Sequence, residues 1–360
     1  MKSMHQAVPE DGTSNLRMAY DTKSRAARTC SDPLRRFLPT PYAAPLFVMG
    51  RTIHLETNSS TLLNHLVELF RPFPAVKGGS DFVWRIVVEA GAHCSPPWPR
   101  RTTFSDAGIR FAQFGQRNLI AVDIEARTAV AIVAEGLFDD LPGFTSPFID
   151  TLFYMTCGAL GLVPLAVACV CLGQEGLLIL GPPNQGKTTA SYLAAKDGVT
   201  FVADQCVFLE VVNGELRGWG DFVPIAFRPD ALQHLPELKV RTGLFSYCDF
   251  DFYYMAKDIP DSGTAGFVTP TCCIFLERGV SPVPRLTPLC EREFSELLPE
   301  HIAFKEESRF AEQQSQVLAK MAHLPAYHLA YGEDPATAAP FFRNLLTRHG
   351  KRLSVQSDGC

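Results

Sequence analysis

Eight consecutive residues, Gly181-Pro182-Pro183-Asn184-Gln185-Gly186-Lys187-Thr188, have types and spacing suited to gripping a polyphosphate. They match G-x-x-x-x-G-K-[ST] at every fixed position. Gly181 and Gly186 permit backbone angles closed to other residues and bring the chain near an anion with no Cβ in the way. The backbone N–H groups of Asn184, Gln185, Gly186, Lys187 and Thr188 then converge on phosphate oxygens, and a helix N-terminus adds a favourable dipole. Lys187 is a movable cation for the β and γ phosphates. The Thr188 hydroxyl is a hard oxygen placed for Mg²⁺, and Thr189 completes the first turn. The alternative is a glycine-rich turn carrying an exposed lysine.

A second candidate lies 17 residues beyond Lys187, where Thr200-Phe201-Val202-Ala203 reads as a strand ending on Asp204. Phosphoryl transfer to a hydroxyl needs a carboxylate that positions the hydroxyl and takes its proton. Asp204 suits that role, or the holding of Mg²⁺ through water; the bland reading is a strand-end residue that only caps. Arg228 is a weaker candidate for clamping phosphate or substrate, since a planar guanidinium recognises such oxygens bidentately. Arg278 is weaker still.

These residues need a scaffold. An apolar strand, 176–180, runs into the loop and a helix, Lys187–Lys196, leaves it. Upstream, 147–160 reads as a helix, followed by a turn at 161–164, a buried strand at 167–172 and a hairpin-like turn at Gly173-Gln174-Glu175-Gly176. Downstream, Asn213-Gly214 reads as a hairpin turn that Glu215-Leu216-Arg217-Gly218 leaves as the return strand. Residues 41–140 have an α+β pattern. It comprises a strand at 46–55 around a turn at Gly50, a helix capped by Ser59 or Ser60 through Phe70, a strand at 82–89, a loop at 91–101 and a meander at 109–114, 119–124 and 129–134. This part is read as a packing or substrate-presenting domain. Residues 1–40 read as a flexible polar tail, 141–350 as the second domain and 351–360 as a C-terminal tail. The aromatic cluster from Phe245 to Tyr254 reads as packing, with a substrate lid as the sharper alternative.

Composition narrows the class. Across 360 residues, 46% hydrophobic and 20% charged residues describe a globular chain, and a net charge of -5 argues against nucleic acid as a partner. Eleven cysteines without a C-x-x-C pair read as reduced core thiols. Cys272 and Cys273, adjacent on a strand, should point to opposite faces. No apolar leader follows Met1, so the expected location is cytoplasmic. Leu152 to Gly173 lacks charge over a membrane-spanning length, but Gly158, Gly161 and Pro164 break it, so no membrane partner is expected.

From the loop onward the chain resembles the HPr kinase/phosphorylase family. Their pattern runs strand, loop with GK[ST], short helix, then R-G-x-x-L-V-A-D-D; here Lys196-Asp197-Gly198-Val199-Thr200-Phe201-Val202-Ala203-Asp204-Gln205 keeps the interval. Residues 222–229 look like the relatives' strand ending in Arg-Pro. Residues 270–278 look like a core strand, and 323–331 with 335–345 like the closing strand and helix. The resemblance covers about 145–350. It implies an α/β fold: a P-loop kinase domain of the HPr kinase/phosphoenolpyruvate carboxykinase type, preceded by a smaller α+β domain. It also implies ATP and Mg²⁺ as cofactors, and phosphoryl transfer to a hydroxyl of a small molecule or a protein serine. Nucleotide and acceptor are then the partners, with homo-oligomer formation left open. The departures are Gln205 for the second aspartate of the pair, Leu165 where many relatives carry histidine, and the Glu215–Gly218 signature lying unusually close to Asp204. They suggest the alternative of a catalytically impaired nucleotide-binding scaffold or regulatory module.

Overall fold

A computed structural model describes residues 38–89, 101–106, 108–115, 117–139, 144–223, 225–236, 244–247, 250–254, 266–303 and 308–356. The expected polar tail before residue 38 and most of the loop at 91–101 lie outside them. The described residues form a mixed α/β structure with three sheets.

The first sheet takes β1 (Tyr42–Val48), β2 (Arg51–Thr57), β3 (Phe82–Glu89), β4 (Arg101–Asp106), β5 (Ile109–Phe114), β6 (Asn118–Asp123) and β7 (Thr128–Ala134), in the order β1-β2-β3-β7-β6-β5-β4. Met49 and Gly50 turn the first hairpin with φ of 50° and 74°. Helix α1 (Ser60–Phe70) crosses between β2 and β3, which pair in parallel, and Ser59 caps it by accepting from Leu62 N at 3.3 Å. Its Leu62, Leu66 and Phe70 are buried, as their helical spacing requires. The sequence pattern gave no sign of β4. All six of its residues are exposed, so no alternation of apolar and polar marks it as a strand.

The expected helix at 147–160 is shorter and irregular. A π-helical turn at Phe144–Ile149 precedes α2 (Asp150–Thr156). Pro147 has no N–H to give and widens the turn. Turns follow α2 up to Gly161 (φ 76°), across which Leu162 N donates to Cys157 O at 3.0 Å. Among the described residues no helix is long and apolar enough to cross a membrane.

The second sheet starts with β8 (Val163–Leu165), β9 (Ala168–Leu172) and β10 (Glu175–Leu180), which leads through the glycine-rich loop into α3 (Lys187–Lys196). Then come β11 (Thr200–Ala203), β12 (Val207–Val212) and β13 (Glu215–Gly220). Val212 pairs with Glu215 across Asn213 (φ 52°) and Gly214 (φ 81°), the hairpin read from the sequence. The expected strand at 222–229 shrinks to β14 (Ala226–Phe227), because Pro229 opens a 3₁₀ turn directly after Arg228. With β15 (Leu244–Tyr247) and β16 (Phe250–Tyr254), β14 forms the small third sheet.

The long β17 (Phe267–Arg278) pairs in parallel with β10 and with β19 (Ala326–Tyr331). β18 (Arg285–Leu289), α4 (Glu291–Leu297) and α5 (Ser308–Ala322) lie between them in sequence. Helix α6 (Ala339–Gln356) runs on beyond residue 350, where a tail was expected. Cys272 and Cys273 pack into different apolar clusters, one containing α3 and α6 residues and the other α4 and α5 residues.

One core joins the first sheet to α2 and the β12–β13 hairpin. Phe153 is its hinge: its ring lies 6.3 Å from Trp84, 5.1 Å from Phe208 and 5.2 Å from Phe222. At its edge Arg51 reaches Glu210 at 2.6 Å, Glu210 accepts from Trp219 Nε1 at 2.8 Å, and Arg51 Nε donates to Leu160 O at 2.8 Å. This ties β2 of the first sheet to β12 of the second.

Candidate functional site

The loop from Gly181 to Gly186 is wedged against β17 and β19. Gly181 has φ 136°, and a Cβ there would stand 2.7 Å from the backbone oxygen of Leu276. Gly186 has φ 73°, and its Cβ would meet Tyr331 Oη at 2.8 Å and Pro335 Cγ at 3.1 Å. Both positions therefore need glycine on two counts, backbone angle and space. Asn184 (φ 69°) also turns left-handed, a conformation asparagine tolerates. The loop is fixed from outside. Tyr331 Oη donates to Gln185 O, and Gln185 Oε1 accepts from Arg278 N.

Lys187 opens α3 and folds back over this loop. Its Nζ donates to Gly181 O at 2.6 Å and Pro182 O at 2.9 Å. Burial pushes its pKa down to about 8, partly offset by the nearby Asp204 carboxylate.

Asp204, the first residue past β11, is 7% exposed. The Thr188 hydroxyl hydrogen-bonds its carboxylate, while Oδ2 is buried without a partner. Burial, and then the Asp221 carboxylate, push its pKa up to about 8; Thr188 and Lys187 pull the other way. A carboxylate oxygen left without a donor in a dry place calls for a proton or a cation. Thr188 and Asp204 together present hard oxygens of the kind Mg²⁺ takes alongside phosphate and water, so these residues fit that ion. Among the described residues no group of three or more His, Cys, Asp or Glu converges to hold a metal by itself.

A cavity of ≈ 190 Å³ brings together Asn184, Gln185, Gly186, Lys187, Thr188, Thr189, Asp204, Gln205 and Arg228. Gly181 does not line it and contributes instead the carbonyl that holds Lys187. Arg278 does line it, tied by its Nε to Glu333 O at 2.8 Å. His234, whose Nδ1 is 3.3 Å from Asp334 Oδ1, also lines it. Cation-bearing side chains thus face the same space as the loop's N–H groups, and an anion is the ligand such a lining favours.

Three residues near the site escaped the sequence reading. Asp221 follows β13 directly, and its pKa is pushed up to about 7 by burial. Asp150 at the head of α2 is pushed well up by burial and by Asp221, against the pull of Arg101. Nothing in their local sequence marks either, since only the folding of β13 towards β11 puts Asp221 near Asp204, and only the placing of α2 puts Asp150 near Asp221. His301 is the third. The matching stretch has Leu165 where histidine was looked for, yet Ala166 N donates to His301 O at 2.7 Å and Leu165 bridges Ile302. The buried imidazole's pKa is lowered by burial and by the Lys187 charge, which keeps it neutral.

No family model matches the chain, and no curated protein matches it. Among solved structures, it is similar to the Hpr(Ser) kinase/phosphatase from Coxiella burnetii, at 13% identity over 54% of this chain and 93% of that one, with a TM-score of 0.25. A superposition that loose supports no assignment of activity.

Proposed function

We propose that the chain binds a magnesium nucleoside triphosphate, ATP in the first instance, along residues 181–189 and transfers its terminal phosphoryl group to a hydroxyl of a small molecule or protein serine. In this reading the second sheet and its helices form a P-loop kinase domain of the HPr kinase/phosphoenolpyruvate carboxykinase type, in the cytoplasm, with the first sheet helping to present the acceptor. The observation that carries it is the meeting of Lys187, the Thr188 hydroxyl and the Asp204 carboxylate with its partnerless oxygen beside a loop with no room for a Cβ at Gly181 or Gly186.

When bound, the magnesium nucleotide supplies the phosphoryl group and neutralises part of its charge. The chain's own residues do the rest. The N–H groups from Asn184 to Thr188 and the α3 N-terminus hold the phosphate oxygens. Lys187 exchanges the Gly181 and Pro182 carbonyls for phosphate oxygens, and Thr188 and Asp204 orient the cation. Once the cation and Lys187 have drawn off its own proton, Asp204 is the carboxylate placed to take the acceptor hydroxyl's proton. Arg228 is proposed to steady phosphate or acceptor across the cavity.

Incubation with γ-labelled ATP, Mg²⁺ and a cell extract tests the reading. Label on a protein or small molecule, lost in Asp204→Asn, is the expected result; the absence of both transfer and ADP release overturns it. Gln205 favours the second reading, a binding scaffold, because an amide in the cavity can neither take a proton nor hold a metal as a carboxylate does. In that case ATP raises the melting temperature, and turnover appears only in Gln205→Asp.

A further inference from the structure

Asp204 has a buried carboxylate neighbour that does not line the cavity. β13 crosses β11 so closely that a Cβ on Gly220 would stand 2.3 Å from Val202 O. Asp221 is the first residue past β13 and Asp204 the first past β11, so this crossing carries the two acids together. Only 8% of Asp221 is exposed, and its Oδ1 accepts from Val223 N at 3.2 Å, which fixes the side chain in a turn of its own. Arg101 offsets the charge of Asp150, and Arg101 Nη1 is itself anchored on Thr151 Oγ1 at 2.8 Å. Among the described residues no cation plays that part for Asp221. Two carboxylates held together in a dry setting repel each other, and a divalent cation on the open side of one relieves both.

We propose that Asp221 is a positioning residue for the magnesium ion: without touching the ion, it stands beside Asp204 and its charge keeps the Asp204 side chain towards Thr188 and strengthens that carboxylate's hold on a divalent cation. This rests on the proposed magnesium–nucleotide reading of the cavity. Asp204 lines the cavity, and its carboxylate, whose Oδ2 is partnerless, is the group on which the effect is exerted. Such an arrangement supplies a second negative charge where position 205 carries an amide. Asp221 reaches from the next strand end what an adjacent residue does not provide.

The simpler role for Asp221 is to close the turn through Val223 N. Asp221→Asn separates the two, since an asparagine oxygen keeps that hydrogen bond and loses the charge. Asp221→Ser, whose hydroxyl also accepts from the amide, is the second variant should the first misfold. The probe is a fluorescent ATP analogue, titrated with Mg²⁺ at fixed nucleotide and again in EDTA. The expected result is a roughly tenfold rise in the Mg²⁺ concentration at half-saturation for Asp221→Asn, the cost of about 1.4 kcal/mol. Binding in EDTA should not change, and in an Asp204→Asn background the Asp221 change should add nothing. An unchanged half-saturation point in both variants overturns the inference while leaving the nucleotide site intact, and so does a shift of full size without Asp204. A wild-type protein that binds the analogue with no response to Mg²⁺ overturns the magnesium site and this inference together.

Discussion

The Lys187 ammonium donates to the Gly181 carbonyl at 2.6 Å, so the cation at the end of the glycine-rich loop is held by the residue at its start. A buried ammonium needs acceptors, and here the loop's own carbonyls provide them until a stronger anion competes.

Lys187→Ala should therefore separate binding from folding. Losing one charged hydrogen-bonding group to phosphate costs about 2–3 kcal/mol, roughly a hundredfold in ATP affinity. The fold loses only bonds to loop carbonyls and is relieved of a buried charge. Calorimetric affinity should collapse while the melting temperature stays within about 2 °C. The reverse pattern would make Lys187 a structural residue.

The two glycines should fail in different ways. Gly181→Ala drives a Cβ into the Leu276 backbone oxygen, which cannot rotate away, at an expected cost of about 3 kcal/mol. Gly186→Ala meets the Tyr331 hydroxyl and the Pro335 ring. Removing that hydroxyl in Gly186→Ala/Tyr331→Phe should return part of the lost stability, about 1 kcal/mol, although the left-handed backbone strain remains. Denaturant melts of the three variants check this; no recovery in the double variant contradicts the close contact.

Asp204 gives the stability a pH dependence. It keeps its proton up to about pH 8 when folded, against an ordinary value of 3.8, so between those values the folded state binds more protons. That part of the stability is lost as pH rises towards 8. Lys187, lowered from 10.5 to about 8, acts in the opposite sense above pH 8, where the unfolded chain binds more protons. Asp204→Asn should thus gain on wild type steadily as pH rises from 5 to 8, by up to about 1.4 kcal/mol per pH unit. A gap that does not widen over that range contradicts the burial of a partnerless acid.

The loop and Asp204 could be read from the sequence because their signals are local: fixed glycines, a lysine and a strand ending on an acid after one helix. The hairpin at Asn213-Gly214 was legible for the same reason. Asp221 and His301 were not, since each comes near the site through sheet order and packing that no window of sequence contains, and Asp150 meets Asp221 in the same way. β4 was invisible because an exposed edge strand has no burial pattern to display. The helix at 147–160 was overdrawn because apolar content was read without weighing Pro147 and the left-handed exit at Gly161.

Arg51 and Glu210 link the first sheet to the hairpin behind the site, with Glu210 also accepting from Trp219. Glu210→Ala leaves a half-buried guanidinium and an indole N–H without their acceptor, and should cost about 3 kcal/mol. Glu210→Gln, which keeps an acceptor, should cost less than half of that. Denaturant midpoints for the pair decide it, and equal losses would mean the contact matters only for packing.

The most direct test of the phosphate-gripping loop is a calorimetric titration of the full chain with ATP in the presence of Mg²⁺, repeated with Lys187→Ala. One-site binding with a dissociation constant of about 1–100 µM, a span of roughly 8.2 to 5.5 kcal/mol, that is lost in the variant is the expected outcome. No heat at millimolar nucleotide, or equal heats from both proteins, would contradict it.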